Sequence, residues 1–321
     1  MRIFITRKIP QIGIDRLKQA GHEVIVSDVD RPLTRDELKQ KVAGVDAILS
    51  QLVDKMNGEI MDAAGKQLKI IANYAVGFDN INLKNAHDRN IAITNTPDIL
   101  TEAVADHAFA LMLAAGRRIV ESDRFSRAGK YTGWQPFLLL GQDLLGKTLG
   151  VVGLGRIGSA LAYRAAQGFK MKILYYDPII KSSPFDTEVG AKPVSLEELL
   201  KNSDFVSIHV PLLPETKHLI STPQFEMMKK TAVLVNTSRG PVVDEQALLK
   251  ALQNRDIFAA GIDVWEFEPK LTPGLAEIEN IVITPHIASA TVETRDNMSK
   301  LAAENIIAAL KGNAPPNLIK Q

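Results

Sequence analysis

The sequence predicts an α/β fold with two doubly wound parallel-sheet domains. Its 321 residues exceed the length of one typical domain. Short β-branched runs alternate with amphipathic helical patterns in both halves, as they do in parallel sheets that carry helices on both faces. A glycine-rich turn between a strand and a helix begins only at residue 153, so another α/β domain precedes it.

The first hundred residues predict one complete doubly wound unit. Between its strands the spacing of apolar residues predicts short helices, and Thr34 with Glu37 forms a capping-box pattern at the start of one of them. The five buried strands are predicted at 2–6, 23–27, 46–50, 68–73 and 91–94.

The second half predicts a six-stranded sheet. A long helix at 100–118 and a less regular stretch at 127–148 precede it. Six strands complete a sheet of this type, so the last helix, at 291–312, is expected to return to the first domain. This predicts one domain over 1–99 and 287–321 and a second, inserted over 100–286, with a ligand cleft between them. The strands are predicted at 149–153, 171–177, 204–210, 231–237, 257–264 and 280–286.

Composition and charge exclude several function classes. The net charge of +1 gives no electrostatic reason to bind nucleic acid or an anionic membrane. The absence of cysteine excludes disulfides, thiolate nucleophiles and thiolate metal ligands, and no metal site is predicted. No signal-peptide core and no apolar run near ~18 residues is present, so the expected location is cytoplasmic.

The glycine-rich turn predicts a dinucleotide site. Gly153, Gly155 and Gly158 form a G-x-G-x-x-G pattern that follows an apolar strand and opens a helix. Asp177 lies 19 residues after Gly158, at the end of the next strand. A carboxylate there accepts ribose hydroxyls and repels a 2′-phosphate, which predicts NAD rather than NADP. Asp177 could also begin a turn with Pro178, and both interpretations can hold.

Polar residues follow several of the predicted strands. Arginine suits a carboxylate and histidine suits proton transfer, so with a nicotinamide they favour reduction of a 2-keto acid. Position alone makes His209 and His286 equal candidates. His107 and His218 are expected to be surface or capping residues, and a solvated loop is the commoner fate of Glu266 and Glu268. The strand-end residues are His209, Thr237, Ser238, Arg239, Asp263 and His286.

Six motifs occur in an order and spacing that cover nearly the whole chain. They resemble the D-isomer-specific 2-hydroxyacid dehydrogenase family, and its glyoxylate/hydroxypyruvate reductase branch in particular. The resemblance implies a flavodoxin-like substrate-binding domain and an inserted Rossmann domain that binds NAD. The motifs are NYAVGFDNIN (73–82), NTPDILTEAVADHAFALML (95–113), GKTLGVVGLGRIG (146–158), VNTSRGPVVDEQAL (235–248), GIDVWEFEP (261–269) and TPHIASAT (284–291).

The resemblance also implies roles for individual residues. Arg239 falls on the substrate arginine, His286 rather than His209 on the acid/base histidine, and Glu268 rather than Glu266 on the glutamate that pairs with it. The implied substrate-binding residues are Leu52, Val76, Gly77, Arg239 and His286. The implied cofactor-binding residues are Thr101, Gly153, Gly155, Arg156, Ile157, Gly158, Asp177, His209, Val210, Pro211, Thr237, Ser238 and Asp263.

The expected function is that of an NAD(H)-dependent D-2-hydroxyacid dehydrogenase that reduces a short 2-keto acid such as glyoxylate or hydroxypyruvate. Two alternatives stay open: a D-3-phosphoglycerate dehydrogenase, and an NAD-sensing binding protein similar to the corepressors that resemble this family. The family and the apolar segment around Trp134 imply a homodimer, with Trp134 or its neighbours near the partner's pocket.

Overall fold

The computed structural model describes residues 1–180 and 182–320. By its internal contacts the chain divides into two compact units. The first comprises Met1–Leu100 with Ser289–Gln321, and the second comprises Thr101–Ala288.

The first unit is built on a parallel sheet. Its strands are β1 Arg2–Ile5, β2 Glu23–Val26, β3 Ala47–Ser50, β4 Ile70–Asn73 and β5 Ala92–Thr94. Within residues 1–100 and 289–320 these five strands lie in the order β2-β1-β3-β4-β5, every pair parallel. This order is that of flavodoxin-like sheets, which confirms the predicted fold class. Every residue of β3 and β4 is buried, because both faces of the sheet are covered.

Helices cover this sheet. They are α1 Gln11–Gln19, α2 Arg35–Lys41, α3 Gly58–Ala64, α4 Leu83–His87 and, from the end of the chain, α12 Val292–Leu310. The predicted capping box is present at α2: the Thr34 hydroxyl accepts the Glu37 N–H, and the Glu37 carboxylate accepts the Thr34 N–H at 2.8 Å.

The last helix packs against the first. A side chain at Gly13 in α1 would place its Cβ 2.2 Å from the Ser299 Oγ of α12, so only glycine permits this approach. The Ser299 hydroxyl donates to the Pro10 carbonyl at 2.8 Å and accepts the Gly13 N–H at 3.2 Å. The two ends of the chain are therefore joined in one unit by direct contact.

The second unit carries a larger parallel sheet. Its strands are β6 Thr148–Val152, β7 Lys172–Tyr176, β8 Lys192–Pro193, β9 Phe205–Ile208, β10 Val233–Asn236, β11 Ala259–Ile262 and β12 Ile281–Ile283. Over the described residues of this unit the order is β12-β11-β10-β9-β6-β7-β8, a Rossmann order with one strand added. The prediction of six strands was wrong by one. Both residues of β8 are exposed, so no buried apolar run marks this edge strand in the sequence.

The helices of the second unit differ from the prediction at one place. They are α5 Thr101–Gly116, α6 Ile119–Arg127, α7 Arg156–Phe169, α8 Pro184–Glu188, α9 Leu196–Asn202, α10 Thr222–Met227 and α11 Glu245–Gln253, with a 3-10 turn at Gly240–Val242. The helix predicted at 100–118 ends at Gly116, and a second helix begins at Ile119. Arg118 between them has a left-handed φ of +54° and binds Glu121 through both Nε and Nη2.

The parallel register brings the ends of five strands into one row. Residues paired across the sheet are Val152, Ile208, Asn236, Ile262 and Ile283. The residues that follow them are Gly153, His209, Thr237, Asp263 and Thr284, so the predicted site residues share one edge of the sheet. In the described part of the chain, no helix combines the length and apolarity needed to cross a membrane.

Candidate active site

The glycine turn joins β6 to α7. Gly153 has a φ of +95°, and a Cβ there would lie 2.9 Å from the His209 backbone. A Cβ on Gly158 would lie 2.2 Å from the Gly153 carbonyl oxygen. A Cβ on Gly155 would meet no atom of the chain within 4 Å. Packing explains the first and third glycines, whereas the second leaves open backbone at the start of a 14-residue helix that no side chain caps.

Asp177 holds this turn in place. Its Oδ2 accepts the Leu154 N–H at 2.9 Å, and its Oδ1 accepts the N–H groups of Ile179 and Ile180 at 2.8 and 2.9 Å. The turn with Pro178 that the sequence allowed is therefore formed. Asp177 follows β7, the strand after the glycine turn, which is the position of the acidic residue that holds a ribose in dinucleotide-binding folds.

His209 lies behind the glycine turn. Its N–H donates to the Val152 carbonyl at 2.8 Å, and its Nε2 lies 2.8 Å from the Ser207 hydroxyl. Burial lowers the pKa of His209 to about 4, because the charged ring would lose its hydration. The ring is therefore neutral near pH 7 and does not supply a proton.

Arg239 lies in a tight turn after β10. The buried Asn236 side chain fixes this turn by accepting the Ser238 N–H and hydroxyl, both at 3.0 Å, and by donating to the Arg239 carbonyl at 3.0 Å. A Cβ on Gly240 would lie 1.9 Å from the Trp265 carbonyl oxygen. The turn that carries Arg239 is thus pressed directly against the loop that leads to Glu268.

Glu268 and His286 form a pair. Oε2 of Glu268 lies 3.0 Å from Nδ1 of His286, and Oε1 accepts the Trp265 N–H at 3.2 Å. The His286 side chain is 26% exposed and the Glu268 side chain is 29% exposed, so water only partly screens their interaction. Since Nδ1 faces the carboxylate, Nε2 is the nitrogen left to meet a substrate.

Asp263 fixes the backbone of His286. Its carboxylate is fully buried and accepts the N–H groups of Ile287 and Ala288, each at 2.8 Å, and the Thr284 hydroxyl at 2.6 Å. The His286 N–H donates to the Asp263 carbonyl at 2.8 Å. Burial alone would raise the pKa of Asp263, but these bonds and His107 lower it overall, so the carboxylate stays ionised.

His107 of α5 completes this group. Its Nε2 lies 2.9 Å from the Thr284 hydroxyl and 3.4 Å from Asp263 Oδ1. The expectation that His107 is a surface or capping residue was wrong, because its ring contacts the network that holds His286. Apolar helical spacing does not reveal a partner 177 residues away.

The other cofactor-binding candidates lie at the start of α5, at the start of α7 and after β9. Thr101 begins α5, and the side chains of Glu102 and Asp106 in its first turns each bind Arg164 of α7 at 2.6 Å. Val210 is buried, and its Cγ1 would lie 2.9 Å from a Cβ on Gly153. Pro211 is exposed, while Arg156 and Ile157 form the first turn of α7.

The substrate candidates of the first unit lie on two joined loops. Asn73 donates to the Gly77 carbonyl at 2.9 Å, and Asn95 donates to the Val76 carbonyl at 2.8 Å. The Asn80 side chain bonds both Asn73 and the Gln51 carbonyl, next to Leu52. These bonds fix the peptide planes that follow Val76 and Gly77, and the first of these planes carries the Gly77 N–H.

The second unit suits a nicotinamide dinucleotide. The open backbone at Gly155 and the uncapped start of α7 fit a pyrophosphate, and Asp177 fits a ribose. The hydroxyl of Thr237 is buried with no hydrogen-bond partner among residues 1–180 and 182–320. Such an unsatisfied group is costly unless a ligand completes its bonding.

Comparisons with known proteins agree with this geometry. The model for "D-isomer specific 2-hydroxyacid dehydrogenase, NAD binding domain" matches residues 109–288. The chain belongs to the D-isomer-specific 2-hydroxyacid dehydrogenase family. It is 49% identical to the glyoxylate reductase of Korarchaeum cryptofilum, over 100% of this chain and 96% of that protein. It is also 49% identical to the glyoxylate reductase of Thermococcus litoralis, over 100% and 97%.

Solved structures show the same relationship. The TT0316 protein of Thermus thermophilus has a TM-score of 0.92 and 45% identity, with 100% of both chains covered. A glyoxylate reductase from Paecilomyes thermophila has a TM-score of 0.87 and 30% identity, with 99% of this chain and 98% of that chain covered. The chain is therefore an oxidoreductase that acts on the CH–OH group of 2-hydroxy acids with a nicotinamide cofactor.

The buried His209 predicts a pH dependence of stability. The ordinary histidine pKa is 6.5 and burial lowers it to about 4, so between these values the unfolded chain binds a proton that the folded chain does not. Acidification from pH 6.5 to 4 should therefore cost about 3 kcal/mol of unfolding free energy. His209→Gln keeps a polar group near Ser207 and removes the titration.

Urea unfolding of both proteins at pH 7.5 and 4.5 measures this effect. The unchanged protein should lose about 2 kcal/mol or more beyond the loss in His209→Gln. Equal losses in the two proteins would mean that His209 binds its proton equally well in the folded and unfolded states, so that folding does not lower its pKa.

Proposed function

We propose that this chain reduces glyoxylate, hydroxypyruvate or a similarly short 2-keto acid to the 2-hydroxy acid, with NADH as the preferred cofactor. The observation that carries the proposal is the pair formed by His286 Nδ1 and Glu268 Oε2, 3.0 Å apart, on the unit that also holds the glycine turn and Arg239. The names of the relatives from Korarchaeum cryptofilum and Thermococcus litoralis support the choice of substrate.

The proposed roles follow from the chemistry of each side chain. Arg239 binds the substrate carboxylate with its planar guanidinium, which matches two oxygens at once. His286 donates a proton from Nε2 to the carbonyl oxygen. A bound nicotinamide supplies the hydride. We assign Leu52 and the backbone amides of Val76 and Gly77, in the first unit, to substrate binding as well.

Glu268 keeps the proton on His286. A histidine protonates a carbonyl only from its positively charged form. A carboxylate at Nδ1 favours the charged ring and fixes its orientation.

The cofactor residues are assigned in the same way. The amides at Gly155, Arg156 and Ile157 would hold the pyrophosphate, with Thr101 beside them. Asp177 would hold the ribose, while His209, Val210 and Pro211 would border the adenosine. Thr237 and Ser238 would meet the nicotinamide side. Asp263 is fully buried, where it holds the His286 backbone, and its contact with the nicotinamide stays a prediction. The cytoplasmic location also stays a prediction.

A substrate panel tests the function. NADH oxidation would be followed with glyoxylate, hydroxypyruvate, pyruvate and 3-phosphohydroxypyruvate. We expect the highest kcat/KM with glyoxylate or hydroxypyruvate. A preference for the phosphorylated acid would instead indicate a 3-phosphoglycerate dehydrogenase, and NADH binding without turnover would indicate a binding protein.

The Glu268–His286 pair predicts a pH profile. Reductive kcat/KM should fall at high pH, where the proton donor of the reaction is lost. Glu268→Gln removes the charge that stabilises the protonated ring, so this fall should move about one pH unit lower. Glu277→Gln, at an exposed position of the second unit, is the matched control. His286→Asn should lower kcat about 10²–10⁴-fold and leave NADH binding in place. A shift caused by Glu266→Gln alone would reassign the glutamate.

Asp177 predicts the cofactor preference. A 2′-phosphate would meet the Asp177 charge, so NADH should give the higher kcat/KM. Asp177→Asn keeps an acceptor for the Ile179 and Ile180 amides and removes the charge, whereas Asp177→Ala loses both. Each variant should raise the ratio of kcat/KM for NADPH over NADH. Asp177→Asn places its Nδ2 against the Leu154 N–H and loses that bond, whereas Asp177→Ala loses all three amide bonds, so the alanine variant should lower Tm more. An unchanged protein that prefers NADPH would refute the assignment.

We also propose a homodimer built on the apolar segment 131–145. Its largest side chains are strongly exposed in a single chain: Tyr131 57%, Trp134 82%, Phe137 83%, Leu140 57% and Leu145 66%. A patch of this kind is typical of an interface. Light scattering at micromolar concentration should give twice the chain mass. Phe137→Glu should weaken the dimer, whereas Val292→Glu, at an 84% exposed site in the first unit, should not.

A further inference from the structure

The loop at 265–272, which carries Glu268, is held by side chains that the proposed reaction does not use. Glu245, the first residue of α11, is 2% exposed. Its Oε2 accepts the Glu266 N–H and its Oε1 accepts the Thr272 N–H, both at 2.7 Å. The buried Glu245 carboxylate thus forms hydrogen bonds with both ends of the loop and connects them to the start of α11.

Glu266 and His218 form a second attachment. The Glu266 side chain is 10% exposed, so the expectation of a solvated loop was wrong for this residue. Its Oε1 lies 2.6 Å from His218 Nε2, and its Oε2 accepts the Glu245 N–H at 3.3 Å. His218, expected to be a capping or surface residue, also donates its N–H to the Pro241 carbonyl at 2.8 Å. It therefore connects the turn that follows Arg239 to the loop that carries Glu268.

The charges of the neighbouring side chains favour the pair formed by Glu266 and His218. His218 pairs with Glu266, and its charge also acts on Asp244, the residue before Glu245. Burial would raise the pKa of Asp244, but bonds from Ala247 and Ser221 and the His218 charge lower it overall. The start of α11 adds further positive potential. These terms favour the ionised form of Asp244.

Glu268 depends on the shape of the same loop. Its Oε1 accepts the Trp265 N–H while its Oε2 faces His286. We propose that Glu245, Glu266 and His218 are positioning residues, which hold the 265–272 loop so that Glu268 stays within hydrogen-bond reach of His286. This inference rests on the proposed function, in which Glu268 keeps His286 protonated.

The test compares pH profiles of reductive kcat/KM. His218→Asn suits the left-handed φ of +53° at this position and has no atom where Nε2 lies. His218→Gln places an amide donor near that point. Glu245→Gln replaces one of the two acceptors of the loop amides. His87→Asn is the control, since that side chain is 73% exposed in the first unit. Circular dichroism and NADH affinity would be measured for every variant.

We expect His218→Asn to move the high-pH fall of kcat/KM about half a unit lower and to reduce kcat about tenfold. His218→Gln should restore most of the pH profile and most of kcat. His87→Asn should change neither the profile nor kcat. Glu245→Gln should have the same effects as His218→Asn. If Glu245→Gln does not fold because its carboxylate is buried, the partly exposed His218 carries the test.

A double variant separates positioning from a general loss of stability. His218→Asn added to Glu268→Gln should move the profile no further than Glu268→Gln alone, because His218 acts through Glu268. A normal profile for folded His218→Asn, with a shifted one for Glu268→Gln, overturns this inference and leaves the proposed function standing. An unshifted Glu268→Gln overturns both.

Discussion

The position of His286 depends on a carboxylate that has no access to solvent. Asp263 follows β11 and Thr284 follows β12, and the parallel register of these strands makes them neighbours. A buried carboxylate must accept hydrogen bonds from its surroundings, because an unpaired buried charge is very costly. The chain after β12 therefore turns its amides at Ile287 and Ala288 inward, and His286 takes a left-handed φ of +54° at the start of that turn. The geometry of the acid/base candidate thus follows from the bonding needs of Asp263.

A second constraint joins the remaining parts of the site. Because Gly240 has no side chain, the Arg239 turn lies directly against the Trp265 carbonyl. The Arg239 turn and the Glu268 loop cannot move independently, since any Cβ at position 240 would force them apart. His218, which bonds the backbone on one side and Glu266 on the other, strengthens the same junction. The proposed substrate arginine and the proposed partner of His286 are therefore carried by two segments in direct backbone contact.

The strand ends could be predicted from the sequence because apolar runs and their spacing carry the signal. The row from Gly153 to Thr284 was predicted in outline, as was the capping box at Thr34. Strand β8 has two exposed residues and carries no such signal. The break at Arg118 follows Gly116, and the left-handed Arg118 binds Glu121 through its guanidinium, a contact that the apolar spacing does not reveal. The bonds of His107, His218 and Glu245 join segments far apart in the chain, so local patterns cannot reveal them.

Two histidines illustrate how environment sets chemistry. His209 and His286 both follow strands at the same edge of the sheet, and their positions in the sequence do not distinguish them. His209 packs behind the glycine turn beside a serine hydroxyl, so burial keeps its ring neutral. His286 meets the Glu268 carboxylate and is partly exposed. A ring that must hold a proton and release it to a substrate needs a nearby negative charge and an open nitrogen, and of these two only His286 has both. The loop after β11 supplies that charge, so the difference between the two histidines originates in the residues that hold Glu268.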